Sequence, residues 1–328
     1  MSKWKLVKLD FKNNPAHFGE LGIGMEETSE RVRSDTLFSA WVIAYARLGQ
    51  DLKGLLERFQ EPKERPFQLS STFIYQETLD KKETTYYLPR PKNLPINYPI
   101  GNDLDIAKSY KKLEFLPLKL WQKWYQGIGF SKNDLSSLKG QYNDCFEIQK
   151  QPKVAIDRLT RATNLYHTAF VRYRSEGNNK SGLYFLIKIN DLAIENDLRA
   201  SLSLLGEEGI GGERSSGAGR FEPSWHDLDK TWDSLVTFKE KNAQSLISLY
   251  WDDELISLEN SSYELQERGG WITSSAKNQR RKKVMMFAEG SVFTDIPIGK
   301  LADVTPPEFT QHKIYRSGIA VSLPIKIN

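Results

Sequence analysis

Glycine and arginine are concentrated in one stretch, Gly209-Ile-Gly-Gly-Glu-Arg-Ser-Ser-Gly-Ala-Gly-Arg-Phe221, in which five of thirteen residues are glycine. Because glycine tolerates positive φ and lets the backbone approach a ligand closely, such a loop can present successive N–H groups to an anion. Arg214 and Arg220 add planar guanidinium groups suited to phosphate. The residues considered for anion binding are Gly211, Gly212, Arg214, Ser215, Ser216, Gly217 and Arg220.

Two common phosphate-binding loops do not fit this stretch. The Walker pattern needs Gly-Lys followed by Ser or Thr, and the stretch has no lysine. The dinucleotide fingerprint needs a third glycine where Arg214 stands, and it should follow a strand and open a helix. Here a helical pattern precedes the loop and a short apolar run follows it. A flexible surface loop or hairpin remains the simpler alternative.

Basic and aromatic residues also alternate in 152–182, where six basic residues oppose two acidic ones. Positive charge can follow the backbone of a single-stranded nucleic acid while aromatic rings stack on its bases. An ordinary two-stranded ribbon with a polar face is the alternative interpretation. The candidates for RNA contact in this segment are Arg158, Arg161 and Tyr166.

Three smaller basic sites complete the set of candidates. Arg31 and Arg33 precede a predicted helix whose N-cap is Ser34 or Asp35, and helix N-termini attract anions. A core helix with solvated flanking charges would have the same sequence. A basic run beside Gly269-Gly-Trp and a basic loop near the C-terminus could also contact RNA, although such runs are usually solvated. The candidates at these three sites are Arg31, Arg33, Ser34, Trp271, Lys277, Arg280, Tyr315 and Arg316.

The composition restricts the class of protein. The 328 residues are 39% hydrophobic and 27% charged, with a net charge of +4, so nucleic-acid binding would have to rest on local patches. The single cysteine, Cys145, excludes an internal disulfide and a Cys-rich zinc site, and the four histidines are far apart. We therefore expect no metal and no cofactor. A polar N-terminus and the lack of a run of ~20 apolar residues predict a cytoplasmic protein without a membrane anchor.

The hydrophobic pattern predicts an α+β fold. A strand, a helix and a second strand are followed by a long irregular region, and then by a strand, a helix, the glycine loop and a short strand halted by Pro223. The helix before the glycine loop is expected to end at Gly206. Without the irregular region this order is βαββαβ, the ferredoxin-like or RRM-like arrangement. The predicted elements are at 3–11, 34–48, 67–75, 183–189 and 191–205.

The length favours two domains. We expect an N-terminal ferredoxin-like domain at 1–225, with an insertion at about 77–182, and a C-terminal domain at 226–328. The second unit shows strand-like stretches at 236–239, 246–251, 284–288 and 319–327. It has no detectable sequence repeat of the first unit.

Four stretches, in this order along nearly the whole chain, resemble the RAMP superfamily of CRISPR proteins. They narrow the resemblance to the subunit-four family of type III-A (Csm) interference complexes. The stretches are Phe18-Gly-Glu with Ser34-Asp-Thr-Leu-Phe-Ser-Ala40, Val154-Ala-Ile-Asp-Arg-Leu-Thr160, the glycine loop, and His312-Lys-Ile-Tyr-Arg-Ser-Gly318. The segment Gly22–Arg33 is more charged than the small polar loop of many relatives.

The resemblance implies two ferredoxin-like domains that hold the repeat-derived 5′ handle of the CRISPR RNA. It also implies two protein partners, the large polymerase/nuclease subunit and the backbone RAMP subunit, and a non-catalytic role. A thumb-like hairpin is expected around 152–182. The alternative is a metal-independent RNA-processing endonuclease of the same superfamily, which would need a general base. His17 and His167 are the candidates for that base, although His17 is also a candidate for RNA contact.

Overall fold

The computed structural model describes residues 2–20, 24–99, 104–136, 138, 141–254, 256–272 and 279–328. Seven α-helices lie in this part of the chain: α1 (Ser34–Arg47), α2 (Leu52–Arg58), α3 (Leu104–Lys111), α4 (Leu118–Tyr125), α5 (Lys132–Ser136), α6 (Glu195–Glu208) and α7 (Lys230–Val236). None of them is long and apolar enough to cross a membrane.

The strands of the first 227 residues are β1 (Lys3–Asp10), β2 (Phe67–Leu69), β3 (Phe73–Thr78), β4 (Glu83–Pro89), β5 (Phe115–Pro117), β6 (Phe146–Ile156), β7 (Thr163–Tyr173), β8 (Ser175–Glu176), β9 (Asn179–Ile189) and β10 (Glu222–Asp227). Those that follow are β11 (Ala243–Leu246), β12 (Leu265–Arg268), β13 (Trp271–Ile272), β14 (Gln279–Arg280), β15 (Val284–Phe287), β16 (Val292–Phe293), β17 (Leu301–Asp303), β18 (Tyr315–Ser317) and β19 (Ser322–Ile325).

One large antiparallel sheet organises the N-terminal part. Its strand order is β10-β1-β9-β3-β4-β5, and β2 and β8 also pair with β9. Helix α1 follows β1, and α6 connects β9 to β10. Trp41 on α1 donates from Nε1 to Ser201 Oγ on α6 at 2.9 Å, so the two helices are joined by a hydrogen bond in addition to apolar packing. The prediction of a mixed fold of helices and strands is confirmed, and its sheets are mostly antiparallel.

Several predicted boundaries are corrected by the structure. The helix before the glycine loop continues through the buried Gly206 and ends at Glu208, because Gly209, at φ 86°, leaves helical geometry. Pro223 does not halt a strand but lies within β10, opposite Leu9. In the sheet order β10 has a neighbour on one side only, and an edge strand tolerates a residue without an N–H. Ser34 is the first residue of α1 and does not cap it.

The expected insertion, at about 77–182, runs from the end of β3 to the start of β9 and contains β4, β5 and three short helices before β6 and β7. The aromatic side chains of Trp121, Trp124 and Tyr125 lie on α4 and are fully buried. Strands β6 and β7 pair over their whole eleven-residue length, from Phe146↔Tyr173 to Ile156↔Thr163. They form a long hairpin that overlaps the segment around 152–182, where a thumb-like hairpin was expected.

The C-terminal part differs from the prediction. Its described residues form one helix, α7, followed by nine short strands arranged in sheets of two or three. The βαββαβ order is therefore not seen there. The strand predicted at 236–239 is wrong, because α7 ends at Val236 and irregular chain follows. The strand predicted at 284–288 is confirmed as β15.

The hydrophobic core crosses the proposed boundary between the two parts. The cluster of buried side chains that includes Leu6, Trp41 and Phe185 also includes Ile247 and Leu323. Backbone hydrogen bonds follow the same route, since Ser71 N donates to Ile247 O at 2.8 Å. The C-terminal strands are therefore packed directly on the N-terminal sheet.

Candidate nucleic-acid interface

The β6–β7 hairpin is long, and its tip is an ordered turn. Asp157 Oδ1 accepts hydrogen bonds from the amides of Leu159 and Thr160, each at 2.8 Å, and these bonds lower the pKa of the Asp157 carboxyl. Arg161, at φ 55°, closes the turn by donating its amide to Asp157 O at 2.9 Å. The side chains of Arg158 and Arg161 are exposed, and neither is paired with a carboxylate of the described chain.

The base of the hairpin is anchored while its distal half is exposed. Val171 pairs with Ala16, and Tyr173 Oη donates to Glu30 O at 2.7 Å. Beyond this base the strands leave the core, and Leu159 at the tip is 95% exposed. Tyr166 is half-buried on β7. The exposed apolar side chains of the hairpin are Ile148, Val154, Ile156, Leu159 and Leu165.

Glycine is required at several positions of the glycine loop, residues 209–221. At Gly211, φ is 98° and a Cβ would lie 2.3 Å from His17 O. At Gly219, φ is 80° and a Cβ would lie 2.1 Å from Ile210 O. Both positions therefore exclude other residues by backbone strain and by contact with a carbonyl. Gly217 also has positive φ, but a Cβ there would meet open space.

His17 packs against the glycine loop and forms a hydrogen bond with it. Its carbonyl accepts the amide of Gly212 at 2.8 Å, and its buried ring hydrogen-bonds through Nδ1 with Ala169 O on the hairpin at 2.8 Å. A Cβ on Gly212 would lie 2.7 Å from the His17 ring. His17 therefore joins the loop to the hairpin and is enclosed between them.

An ion pair is a second link between the hairpin and the loop. Lys153 Nζ on β6 binds Glu213 in the loop, lies 3.4 Å from Ser216 Oγ, and is 5.3 Å from the centre of the Phe170 ring. The hydrogen bond from Lys153 lowers the pKa of Glu213. Because both side chains are largely shielded from water, this pair holds the hairpin base and the glycine loop as one surface.

The outer face of the glycine loop has polar groups that the chain itself does not use. Among the described residues, no acceptor is found for the amides of Gly211, Glu213, Arg214 and Ser215. Arg214, Ser215, Ser216 and Arg220 are exposed. An open cavity of about 610 Å³ lies here, lined by Arg47, Glu208 and residues 211–215. These unused donors and cations can bind an anion such as a backbone phosphate.

Four of the predicted contact residues lie in the interior instead. Arg31 binds Glu289 through two hydrogen bonds of 3.1 Å, and Arg33 binds Glu289 and Glu20. Ser34 Oγ accepts the amide of Leu249 at 2.9 Å. Arg316, only 4% exposed, binds Asp35 and donates to Gly269 O. Their polar groups hold the N-terminal and C-terminal parts together, and RNA contact by these four residues stays a prediction.

The arginines of this buried cluster lower the pKa values of its carboxylates. Burial by itself raises the pKa of Asp35, but the charges of Arg268 and Arg316 outweigh it and lower the pKa to about 2. Arg31 and Arg33 likewise lower the pKa of Glu289 despite its burial. Both carboxylates are therefore ionised at neutral pH, and the cluster is a buried salt-bridge network.

The remaining candidates lie in the C-terminal part. Trp271 on β13 is 55% exposed and pairs with Arg280 on β14, whose guanidinium lies 4.8 Å from the centre of the indole. Tyr315 is half-buried on β18. Lys277 lies outside the described residues. The structure therefore separates most candidates into a set on the hairpin and glycine loop, a buried set, and the exposed pair Trp271 and Arg280.

Sequence reasoning missed the residues that neutralise the buried arginines. Asp35, Glu289 and Arg268 come from distant segments, and no local pattern links them. A signal was present for Lys153, which belongs to the basic segment, but its partner Glu213 was not identified. Within the described part of the chain, no group of three His, Cys, Asp or Glu side chains could hold a metal ion.

Comparisons with known proteins show which proteins this chain resembles. Residues 239–325 match the family model described as the CRISPR Csm4 C-terminal domain. The sequence is 27% identical to the "CRISPR system Cms protein Csm4" of Methanocaldococcus jannaschii, over 98% of this chain and 97% of that protein. It is 28% identical to the protein of the same name from Streptococcus thermophilus, over 93% of this chain and 94% of that protein.

Two solved structures share the fold over the whole chain. A chain of the Csm3–Csm4 subcomplex from a type III-A CRISPR-Cas interference complex matches with a TM-score of 0.63 at 21% identity, covering 98% of this chain and all of that one. A chain of the Csm1–Csm4 cassette in complex with cA4 matches with a TM-score of 0.63 at 18% identity, covering 100% and 99%. The chain therefore has a known fold.

Proposed function

We propose that this chain, whose sequence is similar to Csm4 proteins, is a Csm4-like member of the RAMP superfamily and a non-catalytic subunit of a type III-A CRISPR interference complex. In this role it holds the repeat-derived 5′ handle of the CRISPR RNA. Its protein partners are the large polymerase/nuclease subunit and the backbone RAMP subunit, and its compartment is the cytoplasm. The named relatives in the Csm1–Csm4 and Csm3–Csm4 structures support these two partners.

The observation that carries the RNA-binding role is the fixed placement of the hairpin beside the glycine loop. The loop offers unused amides together with Arg214 and Arg220, and the hairpin tip offers Arg158 and Arg161. Phosphate contacts of this kind position a nucleic acid, while base contacts determine which sequence is bound. The exposed apolar side chains of the hairpin can lie against unstacked bases of a single strand, as recognition of single-stranded RNA requires.

The finer description of the fold is part of the same proposal. The sheet order β10-β1-β9-β3, with α1 after β1 and α6 before β10, supports a ferredoxin-like first domain at 1–225. The insertion at about 77–182 then carries the hairpin. The C-terminal unit at 226–328 is a second RAMP domain whose described residues keep a single helix.

The alternative, an RNA-processing endonuclease, lacks a supporting observation. His17 is enclosed by Gly212, Ala169 and Phe170, and its Nδ1 is occupied by a backbone carbonyl. His167 is exposed on β7 opposite Pro152, with no acidic partner in the described chain. A general base must lie within hydrogen-bond reach of the proton it removes, and it is usually oriented by another group.

A salt-titrated binding experiment tests the proposed function. Labelled RNA with a repeat-derived 5′ handle and a scrambled RNA of equal length are titrated with the full chain, and the same samples are run on a denaturing gel. We expect preference for the handle and uncut RNA. The double variant Arg158→Gln, Arg161→Gln should reduce the slope of log K against log salt by about 1.4, since each phosphate contact on a single strand contributes about 0.7.

A matched variant controls for total charge. Lys53→Gln with Lys63→Gln removes two exposed charges outside the proposed interface and should leave the slope unchanged. Equal affinity for the two RNAs would contradict handle recognition. A specific cut that is lost in His17→Ala or His167→Ala would support the endonuclease instead.

A further inference from the structure

Arg281 is an arginine without a counter-charge in a half-buried position. It follows β14, and its amide donates to Gly270 O at 2.9 Å. Its guanidinium has no carboxylate partner among the described residues, and its Nε is buried without an acceptor. Nε of the neighbouring Arg316 is also buried without an acceptor. Two guanidinium groups therefore lie close together with donors that the chain does not satisfy.

The surrounding network leaves one positive charge unbalanced. Of the described side chains, five arginines and four carboxylates form this network, and every arginine except Arg281 has an ion-pair partner. The arginines are Arg31, Arg33, Arg268, Arg281 and Arg316, and the carboxylates are Glu20, Glu30, Asp35 and Glu289. Asp35, the carboxylate that acts on Arg281, is already shared by Arg268 and Arg316.

An unpaired, partly buried cation beside another cation is unfavourable in the free protein. Burial, followed by the charge of Arg316, lowers the pKa of Arg281, and Asp35 offsets these effects only in part. An anionic ligand at this place would supply the missing charge. Because a guanidinium remains charged at all ordinary pH values, Arg281 cannot relieve this repulsion by losing its proton.

The neighbouring residues indicate what kind of anion fits. Trp271 is exposed on the hairpin formed by β13 and β14, and Arg280 lies against its ring. An exposed indole beside guanidinium groups is a stacking platform for a nucleobase. At Gly270, where φ is 144°, a Cβ would have only Arg316 Nη2 within 4 Å, so the backbone there is open to close approach. An acidic peptide would use the charge but would not need the indole.

We propose that Arg281 and Arg316 bind one backbone phosphate of a single-stranded RNA, and that Trp271 stacks on a neighbouring base. This inference rests on the proposed function for the presence of RNA. Segment 15–20 connects this subsite to the glycine loop, because the carbonyl of His17 binds the loop amide of Gly212 and Glu20 lies 3.8 Å from Arg268.

The test exploits the fact that Arg281 has no partner to lose among the described residues. We expect Arg281→Gln in the full chain to raise the thermal midpoint of unfolding by a few degrees, because it removes an uncompensated, partly buried charge. The same substitution should lower the affinity for labelled handle RNA about tenfold and the salt slope by about 0.7. Trp271→Ala should also lower the affinity about tenfold without changing the salt slope. A purely structural arginine would not give higher stability together with weaker binding.

Two comparisons separate the possible outcomes. A phosphate contact is independent of sequence, so Arg281→Gln should lower the affinity for handle RNA and for scrambled RNA by the same factor. This equal loss is expected even if the wild-type protein shows no preference for the handle. In that case the handle proposal fails and this inference stands. Arg281→Lys retains the charge without the planar fork and should lose about threefold.

Unchanged RNA affinity in Arg281→Gln overturns the inference, and so does a lower thermal midpoint or failure to fold. Loss of binding to a partner subunit with intact RNA binding would instead assign Arg281 to an acidic protein surface. No binding of wild type to either RNA would overturn both proposals. Lys63→Gln, which removes one exposed charge elsewhere, is the matched control.

Discussion

Arginine is abundant in two regions of this protein and has opposite roles in them. On the hairpin and glycine loop, Arg158, Arg161, Arg214 and Arg220 are exposed, and within the described chain they are free of carboxylates. At the junction of the N-terminal and C-terminal parts, the arginines are buried and nearly all paired. An exposed arginine without a carboxylate partner is therefore free to bind a ligand. An arginine that is paired with a distant carboxylate instead holds two parts of the chain together. The difference lies in the acidic partners, not in the local density of basic residues.

The largest expected effect comes from breaking the buried network. Asp35→Asn leaves Arg268 and Arg316 without their shared carboxylate, so we expect the free energy of unfolding to fall by about 3–5 kcal/mol. Chemical denaturation of the full chain measures this change. Glu26→Gln, at an exposed position, should alter stability by less than about 0.5 kcal/mol. A similar small effect in Asp35→Asn would remove the distinction between the two regions.

The network should also make stability depend on acid. The pKa of Asp35 is about 2 in the folded protein against an ordinary value of 3.8, so its contribution is fully present above pH ~4 and is lost as the pH falls toward 2. The expected loss is roughly 2–3 kcal/mol from this one group. Urea unfolding at a series of pH values tests this. Asp35→Asn should flatten the dependence, and an unchanged pH profile would assign the titration to other carboxylates.

An intermediate effect is expected in the glycine loop. Gly211→Ala forces a Cβ toward His17 O at positive φ, so we expect a loss of about 1–3 kcal/mol in stability and weaker handle binding. Gly177→Ala is the matched control, since Gly177 also has positive φ but no atom within 4 Å of the new Cβ. The control should keep full RNA affinity. Normal handle binding by folded Gly211→Ala would exclude the loop from the interface.

The smallest effect is expected where the two structural elements of the interface meet. Lys153→Gln removes the ion pair with Glu213 and should reduce stability by about 0.5–1 kcal/mol. Hydrogen exchange should become faster at the amides of Gly212 and Ala218, which are bonded within or beneath the loop. Protection that stays the same would mean that His17 alone fixes the loop. Lys150→Gln, on the exposed part of the same strand, is the control.

Local sequence patterns predicted the elements of the N-terminal part well. Helix α1 was expected at 34–48 and spans Ser34–Arg47, with Gly49 at positive φ after its end. The predicted end of the helix before the glycine loop was too early, because Gly206 was interpreted as the residue that terminates the helix. Its lack of a side chain instead allows contact with Phe221, whose carbonyl would lie 2.3 Å from a Cβ. In the C-terminal part, strands of two to four residues are too short for periodicity to define.

The candidate interface was predicted in part for the same physical reason. The glycine loop and the hairpin are continuous in sequence, and their composition marks both of them. Arg31 and Arg33 are paired with Glu289, which lies far away along the chain. No local pattern could show that these cations were already neutralised. Long-range pairing, rather than residue type, separated binding arginines from structural ones.

The continuous core has a consequence for how the protein is made and assembled. Because Leu6 and Phe185 share a cluster with Ile247 and Leu323, the two parts lose their apolar burial together. The molecule should therefore melt in one cooperative step, and a fragment covering 226–328 alone should not acquire a stable tertiary structure. A ribosome would have to release the last strand, β19, before the first sheet gained its full stability. The whole chain should then fold in an all-or-none manner. Its entry into any larger particle depends on that complete folding.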